Sequence, residues 1–387
     1  MTGSFDNFPE TLAAIQHGID RRLHTALQIC VNVRGQNVLN DAHGLAAPQI
    51  PATRDTVMLW RSAGKPLTAL LILKRIEQAV FSLDSQVCDL IPPAAQSSSS
   101  AMPGSLTIRQ LLTHTGGIPT VETGWPHADW DHSIRTLLSS QFQFEPGTAA
   151  YHPQSSWFLL GEILRRTSAH PDLSFSAILQ TELLDPLLMV NTTCGSITGD
   201  EVPEAMAMRT GQLATIYERT GGELTESLYN APEYRSRPSP GGSLMGPVSD
   251  LCRFYEVLHD HGRLADGSHF VEPGTISQMV QRQRIGLFDH TLQHNVDFGF
   301  GVIVNSNRYG IHTVPYGFGR FASEKTFGHG GAQCSMAFCD PENEITVAWA
   351  ANGFCGEGQH QRRNRTINEA IYVDLANSQL VKLPAHD

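Results

Sequence analysis

Only four lysines occur in 387 residues, at Lys65, Lys74, Lys325 and Lys382. Arginine supplies the rest of the cationic side chains, and arginine stays protonated where lysine can act as a base. A lysine in a special place is therefore informative. Positive charge as a whole is short: 27 Lys+Arg against 38 Asp+Glu leave a net charge of −11. No basic stripe exists to meet phosphates, which argues against a nucleic-acid or membrane partner. The seven cysteines (Cys30, Cys88, Cys194, Cys252, Cys334, Cys339 and Cys355) include no CxxC pair and read as reduced and structural. No zinc framework, other metal site or cofactor is expected. No stretch approaches the roughly 18 apolar residues of a membrane span. The opening MTGSFDNFPETLAAIQHG has neither the basic start nor the apolar run of a secretory signal, so a cytoplasmic protein is expected. There is no GxSxG, so nothing supports an α/β-hydrolase elbow, and no internal repeat is found.

What is present is an ordinary globular mixture, 41% hydrophobic and 17% charged. The length allows one large core or two closely packed domains. Residues 9–25 read as an amphipathic helix, followed by strands Ala26–Val33 and Gln36–Leu39 around a tight turn at Arg34-Gly35. Val57–Trp60 is a short apolar approach to a long helix from Ser62 to about Val80, with Leu70, Leu71, Leu73 and Ile76 apolar. Residues 92–105 read as loop. Helices are expected at Ile108–His114, Asp131–Gln141, Ser155–Thr167, Phe175–Leu183 and Val248–His261. Strand character returns at Phe298–Asn305, Ala332–Asp340 and Glu344–Ala351, before a last helix at Arg363–Leu375. Strands at both ends with helices between predict an α/β fold, an antiparallel sheet assembled from the two termini with a mainly helical insertion.

Ser62-Ala-Gly-Lys65 at a helix start carries the chemistry. Three residues is about one helical turn, so both side chains share a face. A serine needs an adjacent base to become a nucleophile. A lysine becomes that base when desolvation lowers its pKa, and a helix N-terminus favours developing negative charge. Pro66 costs little in the first turn, where amides lack intrahelical partners. Taken alone, the pattern is equally that of a capping serine and a solvated lysine. None of the other three lysines has a serine three residues before it.

The order of further segments decides between the two. Ser62-Ala-Gly-Lys65-Pro66 is followed by Leu106-Thr-Ile-Arg-Gln-Leu-Leu-Thr-His-Thr-Gly-Gly-Ile118, then by Phe144-Glu-Pro-Gly-Thr148 leading to Tyr151 and Trp157-Phe-Leu-Leu-Gly161. Pro240-Gly-Gly-Ser-Leu-Met245 through Asp250-Leu-Cys-Arg-Phe254 comes next, and then Phe327-Gly-His-Gly-Gly-Ala332 with Asp340-Pro-Glu and Asn352-Gly. Together these resemble the class C β-lactamase superfamily, which includes penicillin-binding-type peptidases, family VIII carboxylesterases and lovastatin-type acyltransferases. The resemblance spans about residues 20–355. It implies a β-lactamase/transpeptidase-like fold, with residues 1–80 and 286–387 as a discontinuous α/β domain, 81–285 as a mainly helical domain and the active site between them. It also implies a catalytic trio of Ser62, Lys65 and Tyr151, and an oxyanion hole from the amides of Ser62 and Ala332. His329, Gly330 and Gly331, on an edge strand lining the cleft, and His152 and Pro153 would contact substrate.

Two departures bear on substrate. The β-lactamases and peptidases usually carry an asparagine two residues after the tyrosine, where this chain has Pro153. They usually begin the carboxy-terminal motif with a lysine, where this chain has His329, largely neutral near pH 7. Both point away from β-lactams and D-peptides and toward esters. The expectation is a serine hydrolase or acyltransferase of a small-molecule acyl substrate, a carboxylesterase or transesterase. A D-peptidase or amidase, a peptide-cyclising thioesterase and a β-lactamase are the alternatives within that chemistry. A catalytically silent binding protein of the same fold is the alternative outside it. His259 and His261 resemble a metal pair superficially but sit at a helix end. His114 reads as a structural hydrogen-bonding histidine, and Trp125, Trp130 and Trp157 are candidates to line an acyl pocket.

Overall fold

The computed structural model describes residues 3–92, 106–170, 172–195 and 213–383. The loop expected over 92–105 lies outside them except for its first residue. Eight strands form one antiparallel sheet: β1 (Ala26–Val33), β2 (Gln36–Ala47), β3 (Ile50–Pro51), β4 (Asp297–Phe298), β5 (Ile303–Val304), β6 (Phe327–Gly331), β7 (Ser335–Asp340) and β8 (Ile345–Ala351). They run β4-β5-β6-β7-β8-β1-β2-β3 across the sheet. The seam between β1 and β8, with Leu27 opposite Ala351 and Val33 opposite Ile345, joins the two ends of the chain. The fold is thus a β-lactamase/transpeptidase-like arrangement of antiparallel sheet and helices. The β1–β2 turn places Arg34 and Gly35 both at positive φ, 51° and 71°, which matches the right-handed twist of a two-residue hairpin. β2 runs on past Leu39 to Ala47. Its later residues are half-buried and mixed in character, and so carry no alternation to read.

Side-chain size sorts by face. Leu27, Ile29, Val31, Phe338, Val347 and Trp349 project to one side, against helices α1 (Pro9–Asp20) and α8 (Glu357–Asn377). Cys30, Ala337, Cys339, Ala348 and Ala350 project to the other. These small residues let helix α6 (Val248–His259) lie against β1, β7 and β8. Period-two alternation buries both faces, with large residues on one and small ones on the other.

Helix α2 (Lys65–Glu77) is buried on every side from Lys65 to Leu73, so it is a central helix and has no solvent face over that stretch. It packs on α5 (Ser155–Thr167). Between them in the chain lie α3 (Ile108–Leu112) and α4 (Trp130–Leu138), each shorter than its sequence expectation, and α7 (Pro273–Val280) follows α6. Phe298–Asn305, expected as one strand, folds as the hairpin β4–β5. Gly301 turns there at φ 72°, and a Cβ on it would lie 2.4 Å from the Cβ of Ala69. No helix among the described residues is long and apolar enough to cross a membrane.

Candidate active site

Ser62 does not open the long helix. It lies in a 3₁₀ turn, Arg61–Gly64, that leads into α2. The turn starts from Arg61 at φ 51°, a left-handed conformation that costs a non-glycine residue energy and is retained where surrounding contacts impose it. Those contacts are close. The Trp60 carbonyl accepts from Ser335 Oγ at 2.6 Å, and the Trp60 indole donates to the Gly246 carbonyl at 2.9 Å.

Lys65 is wholly buried, and its Nζ reaches three oxygens: Ser62 Oγ at 2.9 Å, the Pro153 carbonyl at 2.8 Å and the Gly241 carbonyl at 2.5 Å. Burial first, and then the nearby Arg61 guanidinium, hold its pKa well below the ordinary lysine value. A neutral amine has two N–H bonds and one lone pair. In that neutral form, with the two carbonyls taking the two protons, the lone pair is left for the Ser62 hydroxyl. Pro153 lacks a side-chain amide, yet its main-chain oxygen holds the Lys65 amine. The Tyr151 and Trp157 rings flank the amine, with centroids 5.5 and 5.3 Å from Nζ.

Tyr151 comes from the loop that enters α5. Burial raises the pKa of its phenol, while hydrogen bonding with Ser62 and the charge of Arg61 pull it down, and the balance lies upward. The phenol is therefore protonated. Its backbone is tied down from below: the Tyr151 amide donates to Asp289 Oδ1 at 3.0 Å, and Asp289 Oδ2 accepts from Arg284 at 2.9 Å in a fully buried ion pair. The His114 ring packs on Tyr151 at 4.5 Å, and His114 Nδ1 accepts from the His152 amide at 3.0 Å, the structural use expected of it.

These groups open onto a cavity of about 530 Å³, whose wall includes Ser62, Tyr151, Pro153, Gln154, His329, Gly330 and Ala332. The predicted residues divide here. His152 is turned away: it is fully buried, and its Nδ1 is engaged by Ser156 Oγ. Gly331 is not on the wall either. It presses on the nucleophile turn, where a Cβ would lie 2.1 Å from the Trp60 oxygen, and so brings Ala332 beside Ser62. The strand carrying it, β6, is third in the sheet and not at the edge. The two-residue β5 pairs only with Phe327 and Gly328, however, so His329 and Gly330 lie beyond that pairing and line the cavity.

His329 is buried, and its pKa is pushed down to about 3, first by burial and then by Lys65. Nδ1 lies 2.8 Å from the Gly330 carbonyl and so carries the proton, while Nε2 is buried with no partner among the described residues. The ring is neutral and brings no cation to the cavity wall. Trp125 is on the wall, whereas Trp130 donates to Glu162 and Trp157 sits in the core. His259 and His261 fall at and just beyond the end of α6.

No motif marks several other wall residues. Tyr316 donates to Glu357 at 2.7 Å, and Arg61 and Glu357 are the only Arg, Lys, Asp or Glu side chains among the described wall residues. They come from three distant stretches of chain.

The sequence model described as Beta-lactamase matches residues 13–372. The chain is 24% identical over 309 residues to the esterase EstB of Burkholderia gladioli, a match covering 73% of this chain and 75% of that one. Among solved structures it is similar to EstCE1, described as a hydrolase with promiscuous acyltransferase activity, with a TM-score of 0.76 at 21% identity over 95% of this chain and 98% of that one. It is also similar to a penicillin-binding protein homologue from Caulobacter crescentus, with a TM-score of 0.72 at 21% identity over 97% and 99% of the two chains.

Proposed function

The chain belongs to the beta-lactamase family of serine hydrolases, and from that premise we propose that it cleaves a small-molecule ester through an acyl-enzyme on Ser62. The observation that carries this reading is the Lys65 amine, buried, held by two carbonyls and 2.9 Å from Ser62 Oγ. Lys65 takes the hydroxyl proton as Oγ attacks the ester carbonyl. The amides of Ser62 and Ala332 receive the oxyanion. Tyr151, a protonated phenol, gives its proton to the departing alcohol and is restored from Lys65. Water or a second alcohol then attacks the acyl-enzyme by the same proton path in reverse.

An ester is favoured over a β-lactam or D-peptide because His329 is neutral where a cation would meet their carboxylate. Transfer to an alcohol is the second reading. A cavity of about 530 Å³ has room for an acceptor beside a small acyl group.

The test is a rapid-mixing experiment with a p-nitrophenyl ester, followed by mass spectrometry of the quenched protein. A burst, and an acyl adduct on the peptide carrying Ser62, are expected, and both vanish in Ser62→Ala. A chain that shows neither, or whose Ser62→Ala variant behaves identically, is a binding protein and not an esterase.

A further inference from the structure

We propose that Arg61 is the anion-recognition residue of this site, and that the natural ester carries a carboxylate close to its scissile carbonyl. The inference rests on the Ser62 reading and names the substrate class for it.

Arg61 immediately precedes the nucleophile and lies on the cavity wall. Its guanidinium is held over the face of Tyr229, 4.6 Å from the ring centroid, and 5.3 Å from that of Phe354. Two rings fix the plane of the cation while leaving its N–H edge open. Among the described residues Arg61 forms no ion pair and no side-chain hydrogen bond. Arg284 is the contrast, buried against Asp289 at 2.9 Å. Glu357, the other charged side chain of the wall, receives the Tyr316 hydroxyl at 2.7 Å.

The backbone supports the same assignment. Arg61 is held at φ 51° where glycine or asparagine would be at less cost. The turn places the side chain on the cavity wall next to Ser62, with its guanidinium held by two rings. Its charge is felt at Lys65 and at Tyr151, both of which it biases toward the deprotonated form, so it stands within electrostatic reach of the scissile bond. Planar guanidinium edges suit carboxylates, which they bind bidentately.

The position differs from the one a β-lactam or peptide carboxylate would use. His329 packs on Tyr151 and Phe298, Arg61 on Tyr229 and Phe354, and the two sets share no ring. The anion is thus recognised on the Arg61 wall and not at the start of the HGG strand.

The experiment compares matched esters. One pair differs on the acyl side, the p-nitrophenyl monoester of glutarate against p-nitrophenyl pentanoate. The other differs on the alcohol side, 3-acetoxybenzoate against 3-acetoxybenzamide. In the unaltered protein the charged member of one pair is expected to have the higher kcat/KM, by about tenfold to a hundredfold, mostly through KM. Arg61→Asn, which suits the left-handed backbone, is expected to erase that preference. Arg61→Lys is expected to keep part of it. The ratio within a pair is the readout, because Arg61 also lies near Lys65 and its loss moves both rates. Equal kcat/KM within both pairs in the unaltered protein, or a preference that survives in Arg61→Asn, overturns the proposal. A burst with neutral esters would persist through either outcome, which separates failure here from failure of the Ser62 reading.

Discussion

A Cβ on Gly331 would lie 2.1 Å from the Trp60 carbonyl oxygen and 2.2 Å from Ser335 Oγ. The Trp60 oxygen belongs to the backbone, just ahead of the nucleophile turn, and cannot swing aside. Gly331→Ala must therefore push β6 away from Ser62 and carry the Ala332 amide with it. Loss of one oxyanion donor costs about 10²–10³ in kcat, and that loss is expected with KM little changed. Gly330→Ala is the comparison: the atoms nearest its Cβ would be in the Tyr316 ring, at 2.3 Å, and the Met336 methyl, at 3.0 Å, and these belong to side chains and not to backbone. Steady-state kinetics of the two variants decide the matter. Equal losses would show that Gly331 has no special relation to the oxyanion site.

Lys65→Arg introduces a permanent cation where the proposed base is a neutral amine, since guanidinium does not deprotonate. A loss of about 10²–10⁴ in kcat is expected. The unaltered protein should show an acid limb in kcat/KM well below the ordinary lysine range, because protonating Lys65 as pH falls through its lowered pKa removes the lone pair. The same shift affects stability. Between the folded pKa and the ordinary lysine value the unfolded chain binds a proton that the folded chain does not, so stability rises with pH across that window. Lys65→Met removes this slope. Chemical denaturation at pH 7 and pH 10 should show stability rising more in the unaltered protein than in Lys65→Met, and parallel changes would contradict a neutral Lys65.

His329 and His152 both have pKa values pushed down to about 3, chiefly by burial. Neither should titrate between pH 5 and 8, which ¹⁵N NMR of the imidazoles can check. The unfolded chain protonates both near the ordinary histidine value while the folded chain does not. Above about pH 6.5 they cost nothing, and stability is lost as pH falls from there toward 3. His329→Gln removes one of the two groups and is expected to lower the pH midpoint of acid unfolding. An unmoved midpoint would mean that His329 is already charged.

How far the sequence reaches can be seen residue by residue. That Ser62, Lys65 and Tyr151 meet was legible because they stand in a fixed order of short motifs. The sheet was legible because β1, β7 and β8 alternate or run apolar with β-branched residues. Arg61 was not, since nothing in a sequence announces a positive φ or a ring stacked from 168 residues away, the separation of Arg61 and Tyr229. His152 was misplaced because successive side chains around Tyr151 point to different sides of the chain, and His152 packs inward against Ser156. Gly241 stood in a recognised segment without a role. Its role is a main-chain oxygen, which every residue possesses and no composition reveals.

The buried pair Arg284–Asp289 is the support under Tyr151. Asp289 Oδ1 accepts from the amides of Tyr151, Thr291 and Leu292 at 3.0, 2.9 and 2.8 Å, while Oδ2 meets Arg284. Asp289→Asn leaves a buried guanidinium without its anion, and a loss of about 3–5 kcal/mol in stability is expected. Arg284→Met strands the carboxylate instead. The double variant should recover much of the loss, so a double-mutant cycle by denaturation should show strong coupling. A purely structural role would end there. If Asp289 also positions the Tyr151 hydroxyl, Asp289→Asn should affect esters unequally. A p-nitrophenolate leaves without a proton, whereas a simple alkyl alkoxide needs one from Tyr151. At a temperature where the variant is folded, its kcat should fall several-fold more for ethyl esters than for p-nitrophenyl esters of the same acid. An equal fall for both would reduce Asp289 to a stabilising residue with no part in placing the acid.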